Sequence, residues 1–292
     1  MHFKIVSPSA CVDVENIQLA QTHLERLGHQ VSLGQHVFAQ YRYLAGTIEQ
    51  RVEDLKQAFL LDPTVDAVWC GRGGTGAAML LPFLGEWILN KPLIGYSDTT
   101  VLLNYIAMHG GQALHAPVFQ EIAVKNLDNS PLSYDALKTI SLLTADSYKQ
   151  NLYALSAING FNQNQVLENL HILGGNLTVL CSLQGTPDGL ALHQPSALLL
   201  EDVGEPYYRI ERSFTQLLQS IDTSYLKAVV LGDFYQCPQK NVPQTIAEIV
   251  AEHLEALNIP LYQCDWFGHG AVNRPFWIGQ KGKITGTQFI IG

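Results

Sequence analysis

Ser97 stands in the run Leu93-Ile94-Gly95-Tyr96-Ser97-Asp98-Thr99-Thr100, where an apolar strand ends at a glycine and a helix begins. A serine on a sharp strand-to-helix turn lifts its hydroxyl above the sheet, among backbone N–H groups aimed at the same space. Those donors and the positive end of the helix favour an oxyanion beside the hydroxyl, which is what nucleophilic attack on an amide carbonyl requires. Gly95, two residues before the serine, suits the crowding of such a turn, but Thr99 stands where a second glycine is usual. On these residues alone, Ser97 or Asp98 serves equally well as a simple helix cap.

A second run, Cys70-Gly71-Arg72-Gly73-Gly74-Thr75-Gly76, is a glycine-rich turn directly after another strand. Glycines let a backbone approach a ligand closely and turn its N–H groups inward. Gly71, Gly73 and Gly76 satisfy GxGxxG, so dinucleotide binding is the competing reading. Against it, the turn follows the third strand rather than the first, and Asn90–Gly95 offers no carboxylate for a ribose.

The elements that must hold these turns alternate. Phe3–Val6 reads as a strand, and Asp13 caps a helix with Ile17, Ala20, Leu24 and Leu27 on one face, closed by Gly28. Gln30–Leu33 is a second strand. Thr47 and Gln50 form a capping box before the stripe Val52, Leu55 and Phe59. Val65–Cys70 is a strand, Ala77–Leu84 a short helix, Leu93–Ile94 a strand, and Thr99 to Met108 a helix. This order predicts a parallel, doubly wound sheet over residues 1–121, with functional loops at the carboxyl ends of its strands. Residues 122–165 show no sustained period and are turn-rich at Asn126–Pro131, Asp146–Asn151 and Asn159–Asn164. They read as a crossing segment to a second domain, 166–292. There Ala197–Leu200, Ala228–Leu231 and Phe289–Ile291 look like strands, and Ile210–Leu218 and Thr245–Leu257 like helices.

With 47% hydrophobic and 15% charged residues in 292, the chain reads as a folded globular protein. A net charge of -9 without a Lys/Arg cluster speaks against general nucleic-acid binding. No apolar run is long enough to span a bilayer, and Met1–Val6 lacks the hydrophobic region of a secretory signal. The five cysteines show no CxxC spacing, which fits reduced thiols rather than disulfides or a zinc site. A cytoplasmic location is expected.

Taken together, these segments resemble the LD-carboxypeptidase family of serine peptidases, which includes the microcin-immunity peptidases. The matching pieces run from Val6-Ser7-Pro8-Ser9 through Ala45-Gly46-Thr47, Arg51 and Asp54-Leu55 to Arg72-Gly73-Gly74 and Gly95-Tyr96-Ser97-Asp98. They continue with Gly174-Gly175-Asn176-Leu177, Leu200-Glu201-Asp202-Val203, Glu205-Pro206, Arg209-Ile210, Glu211-Arg212, Leu231-Gly232, Phe234 and Phe267-Gly268-His269. The resemblance implies a Ser-Glu-His triad of Ser97, Glu201 and His269, working through an acyl-enzyme. It puts the oxyanion hole at the N–H groups of Gly73 or Gly74 and of Asp98. His269 would take and return the proton while Glu201 fixes its tautomer.

Chemistry alone leaves alternatives open. Among ten histidines His115 is the main rival, and Asp202 or Glu205 could orient a base in place of Glu201. Strand alternation allows only one of Glu201 and Asp202 to face a pocket. Arg72, Thr75, Tyr96, His115 and Arg212 are the candidate substrate-binding residues. Thr75 replaces the usual Tyr of R-G-G-Y-G, and Ala116 the Gly of a common H/S-G-P segment, which bears on substrate preference rather than reaction type.

The fold expected is α/β: a Rossmann-like, parallel-sheet N-terminal domain plus a smaller mixed β-rich C-terminal domain, the latter implied by resemblance. The activity implied is L,D-carboxypeptidase, releasing terminal D-alanine from murein tetrapeptide in cell-wall recycling, with no metal or cofactor and as a homodimer. A microcin-immunity-type peptidase acting on a peptidyl-nucleotide is the nearer alternative, and a non-catalytic nucleotide-binding module using Gly71–Gly76 the more distant one.

Overall fold

The computed structural model describes residues 1–126, 130–144, 151–160 and 166–292. Parts of the stretches Asn126–Pro131, Asp146–Asn151 and Asn159–Asn164 therefore lie outside the described residues. The chain forms two compact units, Met1–Ser147 with Arg274–Ile278, and Tyr148–Asn273 with Gly279–Gly292.

Strands and helices are numbered in chain order. In the first unit, β1 (His2–Val6), β2 (Gln30–Leu33), β3 (Ala67–Cys70), β4 (Leu93–Gly95) and β5 (Ala113–His115) form a parallel sheet in the order β5-β4-β3-β1-β2. The helices α1 (Val14–Arg26), α2 (Ile48–Lys56) and α3 (Thr100–Met108) connect them. All four residues of β3 are buried, as in a sheet covered on both faces, and Trp69 and Phe3 pack edge to face at 5.5 Å. The caps form as the sequence predicts. Asp13 accepts from the Asn16 N–H, and Thr47 and Gln50 complete a reciprocal box.

Three features differ from the sequence reading or refine it. Ala77–Phe83, read only as a short helix, is of the 3-10 kind; Pro82 lies inside it, where it offers no N–H for a longer ladder. Tyr134–Thr144, in the stretch read as aperiodic, is a helix (α4) that buries Ala136, Thr139 and Ile140. Its single short apolar face, flanked by turn residues, gives too few turns for a visible period. Finally, Phe276–Ile278 (β12) joins this first sheet, antiparallel to β5, although it lies near the chain's far end.

The second unit holds a mixed eight-stranded sheet. Its parallel centre is β8 (Val166–Asn176), β9 (Ser196–Val203), β10 (Leu226–Tyr235) and β11 (Leu261–Gln263). The strands β13 (Lys281–Thr285), β14 (Gln288–Ile291) and β6 (Asn151–Ala154) extend one edge antiparallel, and β7 (Ser156–Ala157) closes the other. Helices α5 (Leu177–Ser182), α6 (Tyr207–Ser220) and α7 (Ile246–Glu255) accompany it. The core runs through Leu198, Leu199, Leu200, Val229 and Val230, all fully buried. β8 escapes a pattern search because Asn169, Gly174 and Gly175 take positive φ within it and interrupt its alternation.

Candidate active site

β4 delivers Ser97 to the carboxyl edge of the first sheet, and the chain turns there through a short 3-10 helix, Ser97–Thr99, into α3. Ser97 has φ 62°, the left-handed region that costs a side-chain-bearing residue energy. A strained serine between a strand and a helix is the geometry that exposes a nucleophilic hydroxyl, and Ser97 is half-buried. The turn is stitched closed by the Thr99 hydroxyl, which donates to the Tyr96 carbonyl at 2.9 Å. Thr99 thus has a structural reason for standing where a glycine is usual. Gly95 leaves room for it, since a Cβ at Gly95 would lie 2.5 Å from the Thr99 oxygen.

The strand order puts the turn after β1 beside the glycine-rich turn after β3, at the point where the sheet reverses its direction of winding. Such points are where open α/β sheets bind ligands. The Ala10 N–H donates to the Gly73 carbonyl at 3.2 Å, and the buried Arg51 donates to the carbonyls of Pro8 at 2.7 Å and Gly76 at 2.9 Å. Asp98 closes the frame, accepting from the Ala77 N–H at 2.8 Å. Burial pushes the Asp98 carboxyl up, while its hydrogen bonds and the Arg51 charge favour the anion. Gly73 comes against the serine: a Cβ there would fall 2.7 Å from Ser97 Cβ, 2.9 Å from its Oγ and 3.4 Å from the Asp98 nitrogen. The backbones of Gly73 and Asp98 therefore flank the hydroxyl. Gly74 takes φ 104° and packs on Ala10.

The other candidates in this unit divide by exposure. Arg72 is exposed, with one guanidinium nitrogen 2.6 Å from the Cys11 carbonyl, and Thr75 is exposed beside it. Tyr96 and His115 are packed inside instead. Tyr96 is 2% exposed and donates to Glu121 Oε2 at 2.7 Å. His115 is fully buried, stacked 4.5 Å from Phe276 and edge-on to Tyr96 at 5.7 Å. Both side chains thus pack against each other, with Glu121 and Phe276 as their further partners.

In the second unit the alternation of β9 separates the two acids. Asp202 turns toward α5, accepting from the Thr178 N–H at 3.0 Å, the Thr178 hydroxyl at 2.7 Å and Asn176 Nδ2 at 3.2 Å. Glu201, fully buried, turns the other way, and its Oε2 lies 2.6 Å from His269 Nδ1. An ionised carboxylate only accepts, so Nδ1 carries the proton and Nε2 is left as the basic nitrogen. Among the described residues, the other histidine–acid pairs, His36–Glu53 at 3.5 Å and His253–Glu211 at 3.3 Å, use far more exposed acids.

The turn carrying His269 wraps around Asp233 at the end of β10. The Asp233 N–H donates to the Phe267 carbonyl at 2.8 Å, and a Cβ at Gly268 would lie 2.8 Å from the Asp233 Cβ. Burial, with repulsion from Glu201, pushes the Asp233 carboxyl up against the opposing pull of His269. Sequence reasoning passed over Asp233, although a carboxylate two residues after a buried apolar strand segment was a usable signal. Arg212 is on the exposed face of α6, its guanidinium 5.4 Å over the Tyr208 ring and away from the Glu201–His269 pair in its contacts.

Residues 3–116 match the LD-carboxypeptidase N-terminal domain, and residues 171–284 match the LD-carboxypeptidase C-terminal domain. The chain is 40% identical to the murein tetrapeptide carboxypeptidase of Pseudomonas aeruginosa, over 97% of this chain and 93% of that protein. Its fold is similar to the crystal structure of a muramoyltetrapeptide carboxypeptidase from Oxalobacter formigenes, with TM-score 0.83 and 24% identity over 100% of this chain and 98% of that one. It is also similar to an MccF-like protein from Bacillus anthracis, with TM-score 0.81 and 26% identity over 99% and 96% of the two chains.

Proposed function

Because the chain belongs to the LD-carboxypeptidase family and is a carboxypeptidase, we propose that it hydrolyses an L,D-amide bond with Ser97 as nucleophile, His269 as base and Glu201 as orienter. Its substrate on this reading is murein tetrapeptide, from which it releases the terminal D-alanine. The observation that carries the reading is the 2.6 Å bond between a fully buried Glu201 and His269.

The steps follow from the groups. His269 Nε2 takes the Ser97 proton as Oγ attacks the carbonyl carbon, and the imidazolium so formed is held by the Glu201 carboxylate. On this reading the oxyanion forms beside the N–H groups of Gly73 or Gly74 and of Asp98. His269 then gives its proton to the departing amine, leaving an acyl-enzyme. Water attacks the acyl carbon as His269 accepts its proton, and His269 returns that proton to Ser97 Oγ as the acyl group departs as a carboxylic acid, which ionises in solution. Arg72 and Thr75, exposed beside Gly73, are the most accessible of the substrate-binding candidates in the first unit, with Tyr96 and His115 buried. The reaction belongs to the cytoplasm on this reading, which suits five cysteines present as free thiols.

The test is mass spectrometry of the protein incubated with murein tri-, tetra- and pentapeptides. Loss of one alanine from the tetrapeptide alone, abolished by Ser97→Ala, is the expected result. Full peptidase activity in Ser97→Ala overturns the triad, and an intact tetrapeptide overturns the substrate. Among the described residues no helix is long and apolar enough to cross a membrane.

A further inference from the structure

In the first unit, the chain between β2 and α2 makes a tight hairpin turn in which Tyr41 and Leu44 exchange backbone hydrogen bonds of 2.9 and 3.0 Å. Arg42 occupies the first central position with φ 58°, a place where glycine is the usual residue. Its guanidinium stacks 4.9 Å over the Tyr41 ring and 5.4 Å over the Tyr43 ring. Both rings stand in solvent, 50% and 60% exposed. No carboxylate among the described residues lies within ion-pair reach of Arg42, whereas Arg51 is buried on carbonyls and Arg209 pairs with Glu205. A guanidinium placed over two exposed aromatic rings, in a chain of net charge -9, is a pre-arranged receptor for an anion.

The turn is coupled to the nucleophile by backbone. Leu44 bridges to Ala10, the Cys11 N–H donates to the Tyr43 carbonyl at 3.2 Å, and the Ala10 N–H donates to the Gly73 carbonyl at 3.2 Å. Gly73 in turn lies against Ser97. Two backbone steps of about 5 Å and that last contact put the turn roughly 10–15 Å from the serine hydroxyl. An extended peptide covers roughly 3.3–3.6 Å per residue, so the turn meets a group about three to four residues from the scissile bond. A carboxypeptidase has a single residue beyond that bond, which places the group on the acyl side.

We propose that Tyr41, Arg42 and Tyr43 form a subsite that binds a carboxylate on the acyl side of an acidic peptide, with the guanidinium taking the anion and the rings covering the neighbouring chain. The proposal rests on Ser97 being the nucleophile of a carboxypeptidase. Arg42 supplies the two-pronged hydrogen bonding that a carboxylate matches, and lysine supplies only the charge.

The experiment compares wild type, Arg42→Gln and Arg42→Lys on two substrates: murein tetrapeptide, and the same peptide with its acyl-side carboxyls amidated. Wild type is expected to favour the acidic peptide about tenfold or more, expressed in KM. Arg42→Gln is expected to lose that preference, and Arg42→Lys to recover part of it, which a turn that merely props the loop does not do. An Arg42→Gln enzyme that retains the wild-type preference overturns the subsite while leaving the triad standing. If wild type cleaves neither peptide, the proposed function fails, and calorimetric titration of the acidic peptide decides the subsite alone. Binding about tenfold weaker in Arg42→Gln then supports it, and equal binding or none overturns it.

Discussion

Replacing Gly73 by alanine tests the nucleophile turn with one methyl group. The new Cβ falls 2.7 Å from Ser97 Cβ and 2.9 Å from Ser97 Oγ, where ordinary carbon contacts lie at about 3.5–4.0 Å. Something must move by about 1 Å. Gly73 has no positive φ to forbid alanine, so the conflict is one of space alone. The serine side of the contact resists movement, because Ser97 already sits at φ 62° and its turn is pinned by the Thr99–Tyr96 and Asp98–Ala77 hydrogen bonds. A misplacement of about 1 Å at a reacting group costs roughly 10²-fold in rate, or about 2.7 kcal/mol of transition-state stabilisation. Overpacking of this size costs about 1–3 kcal/mol of stability, which a domain with the usual margin survives. The assay pairs kcat on murein tetrapeptide with the rate at which a fluorophosphonate labels Ser97, and checks folding by thermal melting. Gly160→Ala is the control, since a Cβ there meets nothing within 4 Å among the described residues. A folded Gly73→Ala enzyme with kcat and labelling within about threefold of wild type refutes the placement of Gly73 against the serine.

Glu201→Gln keeps the shape of the orienter but removes its charge, and an amide can hold the imidazole in the wrong tautomer. A fall in kcat of roughly 10⁴-fold with the fold intact is expected; unchanged steady-state rates dismiss Glu201 from the mechanism. Ser97→Gly relieves the left-handed strain that Ser97→Ala retains, so the glycine variant is expected to be more stable by about 1 kcal/mol, both being inactive. Urea midpoints in the opposite order argue against a strained turn. Burial pushes the Asp54 carboxyl up although the His36 backbone N–H donates to both of its oxygens, at 3.2 and 3.0 Å. A carboxyl that holds its proton more tightly folded than unfolded stabilises the protein below its ordinary range, near about pH 4, and loses that contribution as pH rises through the raised value. Asp54→Asn is therefore expected to gain on wild type as pH climbs from 4 to 6 in denaturation midpoints, and a constant or shrinking difference contradicts the assignment.

Much of this protein is local, and local features were legible. Asp13, Thr47 and Gln50 announce their helices because capping is settled within four residues, and β2 falls where its apolar residues cluster. The strand–glycine–serine–helix run likewise marks the turn at Ser97. The tertiary structure decided what depends on distant partners. Alternation along β9 says that Glu201 and Asp202 face apart, but not which one faces a base; α5 captures Asp202 through Thr178 and Asn176, leaving Glu201 for His269. His115 is packed between Tyr96 and Phe276, one of them more than a hundred residues away in β12. Ser97 and Arg42 carry positive φ that no residue type announced, because the surrounding turns impose it against their preference. Spacing and period report only what neighbours in the chain require. Which face a side chain turns, and which glycine must stay bare, is set by atoms brought close by folding.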